Sequence, residues 1–483
     1  MEEMKGENRL RRILGPVGLT SLGVGAIIGT GIFVLTGVAA ADKAGPAIML
    51  SFTAAGIACI FAALCYSEFA SMVPVAGSAY TYAYATLGEL FAWIIGWDLI
   101  LEYAVASATV AHGWSHYFQD FIGIFHYQIP FSMSRGPFDF NPATGFLHST
   151  GTIIDLPAII ITIIITAVLV KGIKESAGLN ATMVGIKLTA VLLVISVGVF
   201  YITPANWFPF APYGYTGISF FGRTLWGQTS ASGAPQGVLA GAAMIFFAYI
   251  GFDSVSTHAE EAKNPQRDVP IGIITSLILC TVLYIAVSAI ITGMVPYNKI
   301  NIDAPISNAF KQVGLGWAQL IISFGALAGI TSVLLVMMLS QPRIFLAMAR
   351  DGFLPPSVFG AIHHKFRTPW KSTILTGIFV ATLAGFLPLR ILAELVNIGT
   401  LFAFVVVCSA VLIMRKMHPE APRPFRAPLF PFVPIAGIVT CTILMFSLPE
   451  ENWLRLLIWL VIGLAIYIFY GRKHSVMHKM MGH

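Results

Sequence analysis

The chain has 483 residues, 57% hydrophobic and only 10% charged, against about a quarter charged in an ordinary soluble domain, which excludes a soluble globular protein. The net charge of +6, from 28 Lys and Arg against 22 Asp and Glu, is no nucleic-acid footprint. In a membrane chain the placement of basic residues carries the meaning, not their sum. Hydrocarbon offers backbone groups no water, so long apolar runs select helices over open sheets. The composition predicts an all-α polytopic membrane protein.

The segment Met1 to Arg12 is charged and lacks a small-residue cleavage site, so the first apolar run is expected to stay as a span. Apolar runs of about 20 residues, read against polar and Gly/Pro punctuation, predict the spans. There are twelve, the first five near 17–40, 46–72, 87–116, 153–170 and 179–202. The next five fall near 237–259, 269–295, 316–346, 372–387 and 391–414, and the last two near 432–448 and 454–471. Counted by alternate loops, twenty Lys and Arg fall on the side of the termini and seven opposite, with Lys187 inside span five. That asymmetry predicts cytoplasmic termini. The longest loops, near 117–152 and 203–236, are then external and Gly/Pro-rich.

Span one reads GVGAIIGTGIF from Gly23 to Phe33. Its glycines fit a close helix crossing, since Gly25 and Gly29 form a small-xxx-small pair, and equally a break in the helix. A dinucleotide-binding glycine loop is excluded, because that motif needs a strand before it. On span three, Asp98 and Glu102 are four apart and share one helix face. A carboxylate as deep as Glu102 points to proton handling or to a hold on a neighbouring helix. His112 and His116 share a face near the other end; without further ligands nearby, packing is expected there rather than a metal. Lys187 on span five lies about two turns beyond the helix start near Leu179. That is deep for snorkelling and predicts an internal partner.

Span six reads FFAYIGFDS from Phe246 to Ser254, with Gly251 interrupting it and Asp253 behind the interruption. Spans one and six are five apart, where paired helices of a five-plus-five inverted repeat would fall. Paired interruptions at such positions mark a transporter binding site. Unwinding frees N–H groups that suit a carboxylate and carbonyls that suit an ammonium, so an α-amino acid would fit across both breaks. Beyond span six, Glu260, Glu261, Lys263 and Arg267 open a loop that reads as a cytoplasmic gate or as a solvated turn. The cysteines, Cys59, Cys65, Cys280, Cys408 and Cys441, lie scattered in apolar runs and read as small buried hydrophobes. No nucleophile–base pair, metal cluster or GxxxxGK[ST] loop occurs, so an enzyme, an ATP-driven pump and a cofactor are not expected.

The broken segments, with PVAGSAYTYAY (Pro74–Tyr84), FFAYIGFDSVSTHAEEAKNPQRDVPIGI (Phe246–Ile273) and RIFLAMARDGFLP (Arg343–Pro355), resemble the amino acid–polyamine–organocation (APC) superfamily. The chain looks like a bacterial member of its cationic amino acid transporter family. The resemblance implies a leucine-transporter-type fold with 12 helices, 1 and 6 discontinuous. Its division would be an N-terminal segment 1–14, repeats 15–204 and 205–416, and a final pair of helices with the C-terminus in 417–483. It implies a carboxylate site at Ile27, Gly29, Thr30 and Gly31, an amino-group site at the carbonyls of Phe247, Ala248 and Ile250, and Phe247 with Asp253 as gate. Proton-coupled relatives place a lysine where sodium-coupled ones hold a cation. Lys187 matches it, with Gly25 and Thr331 or Ser332 as expected partners and Glu102 as a second proton group. The implied activity is secondary active import of α-amino acids across the plasma (inner) membrane by proton symport, with amino-acid exchange as the alternative. Partners would be the amino acid, protons and membrane lipid, with no nucleic acid. Cationic and small neutral substrates both remain open, as do accessory membrane partners.

Overall fold

The computed structural model describes residues 14–72, 79–141, 146–221, 223–230, 233–448 and 450–476. The segment 1–13, with Arg9, Arg11 and Arg12, lies outside the described residues, as do the start of the Pro74–Tyr84 stretch and the last residues of the chain.

The first long apolar stretch breaks into α1 (Pro16–Ile27), a π-wound turn Gly31–Leu35, α2 (Thr36–Ala39) and a second π-wound turn Ala40–Ala44. Then come α3 (Ile48–Met72), α4 (Ala79–Thr86), α5 (Glu89–Ile124), α6 (Leu156–Lys171) and α7 (Ile173–Gly198). The sixth apolar run breaks into α8 (Val238–Ile245), a tight turn Phe246–Tyr249 and α9 (Ser254–Thr257). After it follow α10 (Pro265–Met294), α11 (Pro305–Gln312), α12 (Gly316–Arg350), α13 (Pro356–Phe359), α14 (Trp370–Phe386) and α15 (Leu389–Met417). The chain ends in α16 (Phe432–Phe446), α17 (Glu450–Ile466) and α18 (Arg472–His474). Among the described residues, eight helical stretches are long and apolar enough to cross a membrane, the first being 57 residues that hold both α1 and α3. Three shorter apolar helices, α6, α14 and α16, accompany them.

Two features go beyond the sequence expectation. Helix α5 runs about two turns past the predicted end near 116, because Tyr117 and Asp120 find partners there: Tyr117 Oη donates to Phe33 O at 2.8 Å, and Asp120 accepts from Ser307 and Ser323. Among the described residues, the long loops hold three antiparallel strand pairs, β1 (Phe138–Asn141) with β2 (Phe146–Ser149), β3 (Ile218–Phe220) with β4 (Arg223–Trp226), and β5 (Gln228–Thr229) with β6 (Pro235–Gln236). Outside hydrocarbon, water satisfies a strand edge, so such pairs are tolerated there and not within it.

The packing follows a pattern. Helix α1 lies on α10, and α8 on α3; α5 lies on α15 and α6, and α12 on α7 and α14. The pairs α3–α10, α5–α12 and α6–α14 complete the bundle, and α16 and α17 pack outside it on α15, α3 and α5. At one end, Leu14 N donates to Glu261 O at 3.0 Å and Lys263 N to Leu14 O at 2.8 Å, joining the approach to α1 to the exit from α9.

Candidate functional site

Both breaks are backbone events with local causes. Ile28 is extended (φ −76°, ψ 104°), so α1 cannot continue through it. In the sixth run Ile250 is extended and Gly251 sits at φ 123°, a region closed to residues with a Cβ. The two breaks touch. A Cβ at Gly31 would stand 2.3 Å from Ala248 Cα, and one at Gly251 would stand 2.9 Å from the carbonyl oxygen of Ala26. The amides of Gly29, Thr30 and Gly31 open the second half of the first span, where the peptide dipoles favour negative charge.

Tyr284 of α10 closes the junction from behind. Its hydroxyl lies 2.7 Å from Ile27 O and 2.9 Å from Ala248 O, one carbonyl from each break. Asn397 of α15 adds a second brace, donating to Ala243 O at 3.1 Å and Met244 O at 3.2 Å. Sequence reasoning missed both; the available signal was a polar tip in the middle of an apolar run. Tyr284→Phe is expected to fold and to lower uptake about tenfold, since the one O–H shared between the two carbonyls is lost, at about 1 kcal/mol. Parallel initial-rate and expression measurements check it.

A small cavity sits at the junction. The breaks line it with Ile27, Thr30, Gly31, Phe247 and Ile250; α5 adds Ala106 and Val110, and α12 adds Val333 and Met337. It has room for about one water molecule. Gly29 and Ala248 lie just behind the wall, against Val333 and Gly31 respectively. Phe247 is buried and forms part of the lining.

Lys187 is fully buried, and its ammonium donates to Gly25 O, Ile28 O and Ser332 Oγ, each at 2.8 Å. Three N–H donors meet three acceptors, which is what makes a charge tolerable at that depth. Of the two hydroxyls expected from α12, Ser332 faces the lysine. Thr331 instead accepts from Trp114 Nε1 at 3.0 Å and donates to Leu327 O. Gly329 leaves the room that the lysine stem fills, since a Cβ there would lie 3.1 Å from Lys187 Cβ.

The carboxylates fall elsewhere. Tyr103 Oη donates to Asp253 Oδ2 at 2.5 Å. The other oxygen of Asp253 and both oxygens of Asp98 and of Glu102 are buried without a hydrogen-bond partner. Asp98 rests against Gly399, where a Cβ would come within 2.9 Å of Oδ1. His112 Nδ1 pairs with Asp155 Oδ2 at 3.1 Å, and Ser115 Oγ donates to Asp155 Oδ1 at 2.6 Å. His116 Nδ1 stands 3.6 Å from Asp303. At the exit from α9, Arg343 Nη2 donates to Glu261 Oε1 at 2.6 Å and Arg343 also contacts His258 Nε2. So Glu261 joins a buried latch rather than a solvated turn; the Glu260 side chain lies outside the described residues.

The sequence profile of the amino acid permease family matches residues 14–480. The chain belongs to that family. Within the APC superfamily it falls in the group of the cationic amino acid transporters, and it is a multi-pass membrane transporter, not an enzyme. It is 47% identical over 470 residues to the methylthioribose transporter of Bacillus subtilis, covering 97% of this chain and 95% of the relative. It is 46% identical over 475 residues to the branched-chain amino acid permease BcaP of the same organism, covering 98% and 96%. The vacuolar cationic amino acid transporter 4 of Arabidopsis thaliana is 32% identical over 589 residues, covering 98% and 94%.

Proposed function

We propose that this permease imports neutral α-amino acids across the plasma membrane by proton symport, with both termini in the cytoplasm. The observation that carries the reading is the Lys187 ammonium, held by Gly25 O, Ile28 O and Ser332 Oγ where the first span breaks. A lysine there supplies from the protein the positive charge that a bound metal cation would supply. Unlike a metal ion, it can release its charge as a proton. The amides of Gly29, Thr30 and Gly31 suit the substrate carboxylate, and carbonyls of the Phe247–Ile250 turn suit its ammonium. Phe247 would cover the bound substrate with Asp253 beside it, while Glu102, buried without a partner, would exchange protons with the cytoplasm. The wall from α5 and α12, Ala106, Val110, Val333 and Met337, is apolar and favours a neutral side chain over a cationic one.

The architecture we propose is an inverted repeat of five helices, 15–204 and 205–416, in a protein of 12 spans, flanked by segments 1–14 and 417–483. The packing supports it. Exchanging each helix for the one five spans later turns α1–α10 into α8–α3, α5–α15 into α12–α7, and α5–α6 into α12–α14.

The test is uptake of labelled amino acids into proteoliposomes with and without an inward proton gradient, with methylthioribose in the panel because one relative is named for it. With one proton per substrate, each pH unit of gradient should give about tenfold accumulation, since about 1.4 kcal/mol corresponds to a factor of ten. Uptake that needs substrate on the far side and ignores the gradient would make the protein an exchanger. Transport of no amino acid under either condition would overturn the proposal.

A further inference from the structure

The hairpin of β3 and β4, in the loop between α7 and α8, turns large apolar side chains outward. Leu225 and Trp226 are each 69% exposed. On its other side the hairpin reaches α16 and α17. The ring of Phe220 lies 4.8 Å from that of Phe446, and Phe221 lies 5.4 Å from Phe446 and 5.1 Å from Trp453. Phe446 ends α16 and Trp453 stands in the first turn of α17, their rings stacked at 5.1 Å. Phe221 is held at φ 47°, which is unfavourable for a residue with a Cβ, so the contacts of its ring have a backbone conformation to maintain.

Below this cluster, α16 and α17 carry outward apolar faces, including Val439 and Ile443 on one and Leu457 and Val461 on the other. In a membrane-embedded transporter such faces meet lipid tails. The hairpin continues the apolar belt past the helix ends with aromatic residues, and Arg223 is exposed at its rim. Aromatic rings beside a basic side chain are the composition of a headgroup layer, where a ring has an apolar side to bury and a guanidinium meets phosphate.

We propose that the β3–β4 hairpin is an interfacial anchor seated in the outer-leaflet phospholipid headgroups, with Leu225 and Trp226 at the acyl boundary and Arg223 at lipid phosphate. The anchor ties the bilayer surface to the two broken spans. Beyond it, Leu239 N donates to Thr216 O and Gly237 N to Lys43 O, both at 2.8 Å, so the loop grips the outer half of each broken span. Which leaflet it occupies rests on the proposed orientation; the seating in lipid does not.

The test uses the full-length protein in vesicles containing phosphatidylglycerol, with an environment-sensitive fluorophore on Leu225→Cys. The same label on Gln312→Cys of α11, an exposed position on the same side, is the reference. Lipid carrying a shallow spin label should quench position 225 about threefold more than position 312, and aqueous iodide should show the reverse order. Adding Arg223→Glu should about halve quenching at 225 by the spin-labelled lipid, because a carboxylate repels lipid phosphate. Iodide quenching equal at both positions would put the hairpin in water and overturn the anchor. Shielding from both quenchers would overturn it in favour of a second copy of the chain, and no effect of Arg223→Glu would remove the phosphate contact. Sidedness is read separately, by reaction of Gln312→Cys with an impermeant thiol reagent on intact cells. Failure there overturns the orientation and leaves the depth result standing.

Discussion

Lys187→Met is expected to abolish pH-driven accumulation, bringing the about tenfold gradient per pH unit down to equilibration, while substrate counterflow persists at a reduced rate. Methionine fills the space of the lysine stem but donates nothing. Ile28 O and Gly25 O then lose a charged donor, a loss of about 1.5–3 kcal/mol for each such hydrogen bond, so the first half of the first span is loosened as well as uncoupled. Ser332 can still donate to Gly25 O, at 3.0 Å, which limits the structural damage. Lys187→Arg separates charge from titration, because a guanidinium stays protonated throughout the working range. It should bind substrate and fail to couple. Accumulation ratios in proteoliposomes at two pH gradients, with counterflow measured on the same preparation, decide the matter. Full uphill uptake by Lys187→Met would remove the lysine from the coupling mechanism.

Gly31→Ala has the second large effect. Its added methyl would stand 2.3 Å from Ala248 Cα and 2.5 Å from Ala248 Cβ, and the nearest atom belongs to backbone that cannot rotate away. The two broken segments must separate, at a strain of about 1–3 kcal/mol, and the alignment of amides with facing carbonyls is lost with it. Uptake should fall by about two orders of magnitude, because small misplacement in a site of this kind has that scale of effect. Gly316→Ala is the control, since a methyl there meets nothing within 4 Å. Initial rates normalised to the folded protein recovered by gel filtration measure the difference. Equal rates for both variants would show that the junction need not be close-packed to work.

The helical membrane class, the glycine-marked breaks and the depth of Lys187 were legible because each leaves a mark in the run of apolar residues. A charge or a glycine cluster in such a run is a local signal. Rotation about a helix axis is not local. Thr331 and Ser332 are adjacent, about 100° apart on α12, and only the packing of α12 against α5 and α7 turns Ser332 to the lysine and Thr331 to Trp114. Tyr284 was hidden for a related reason. A tyrosine in a span can face lipid, another helix or the interface, and its bridge between Ile27 O and Ala248 O exists only once three segments are assembled. Asp155 caps α6, accepting from Ala158 N at 3.2 Å, a role the sequence analysis did not assign. Its second task, meeting His112 across the bundle, left no trace in the spacing.

The cavity at the junction holds about one water molecule, which changes what selectivity can mean for this carrier. There is no void whose shape a side chain could match. A substrate arriving at the proposed site would have to push the wall outward, and the parts of that wall differ in how readily they yield. Met337 has an unbranched thioether that can re-form around a guest, whereas Val333 is β-branched and already presses on Gly29. Discrimination among neutral substrates would then follow the stiffness of the lining, graded from yielding to rigid across one face of α12, rather than a fixed volume. Softening a stiff position should broaden the range of substrates before it weakens the best of them.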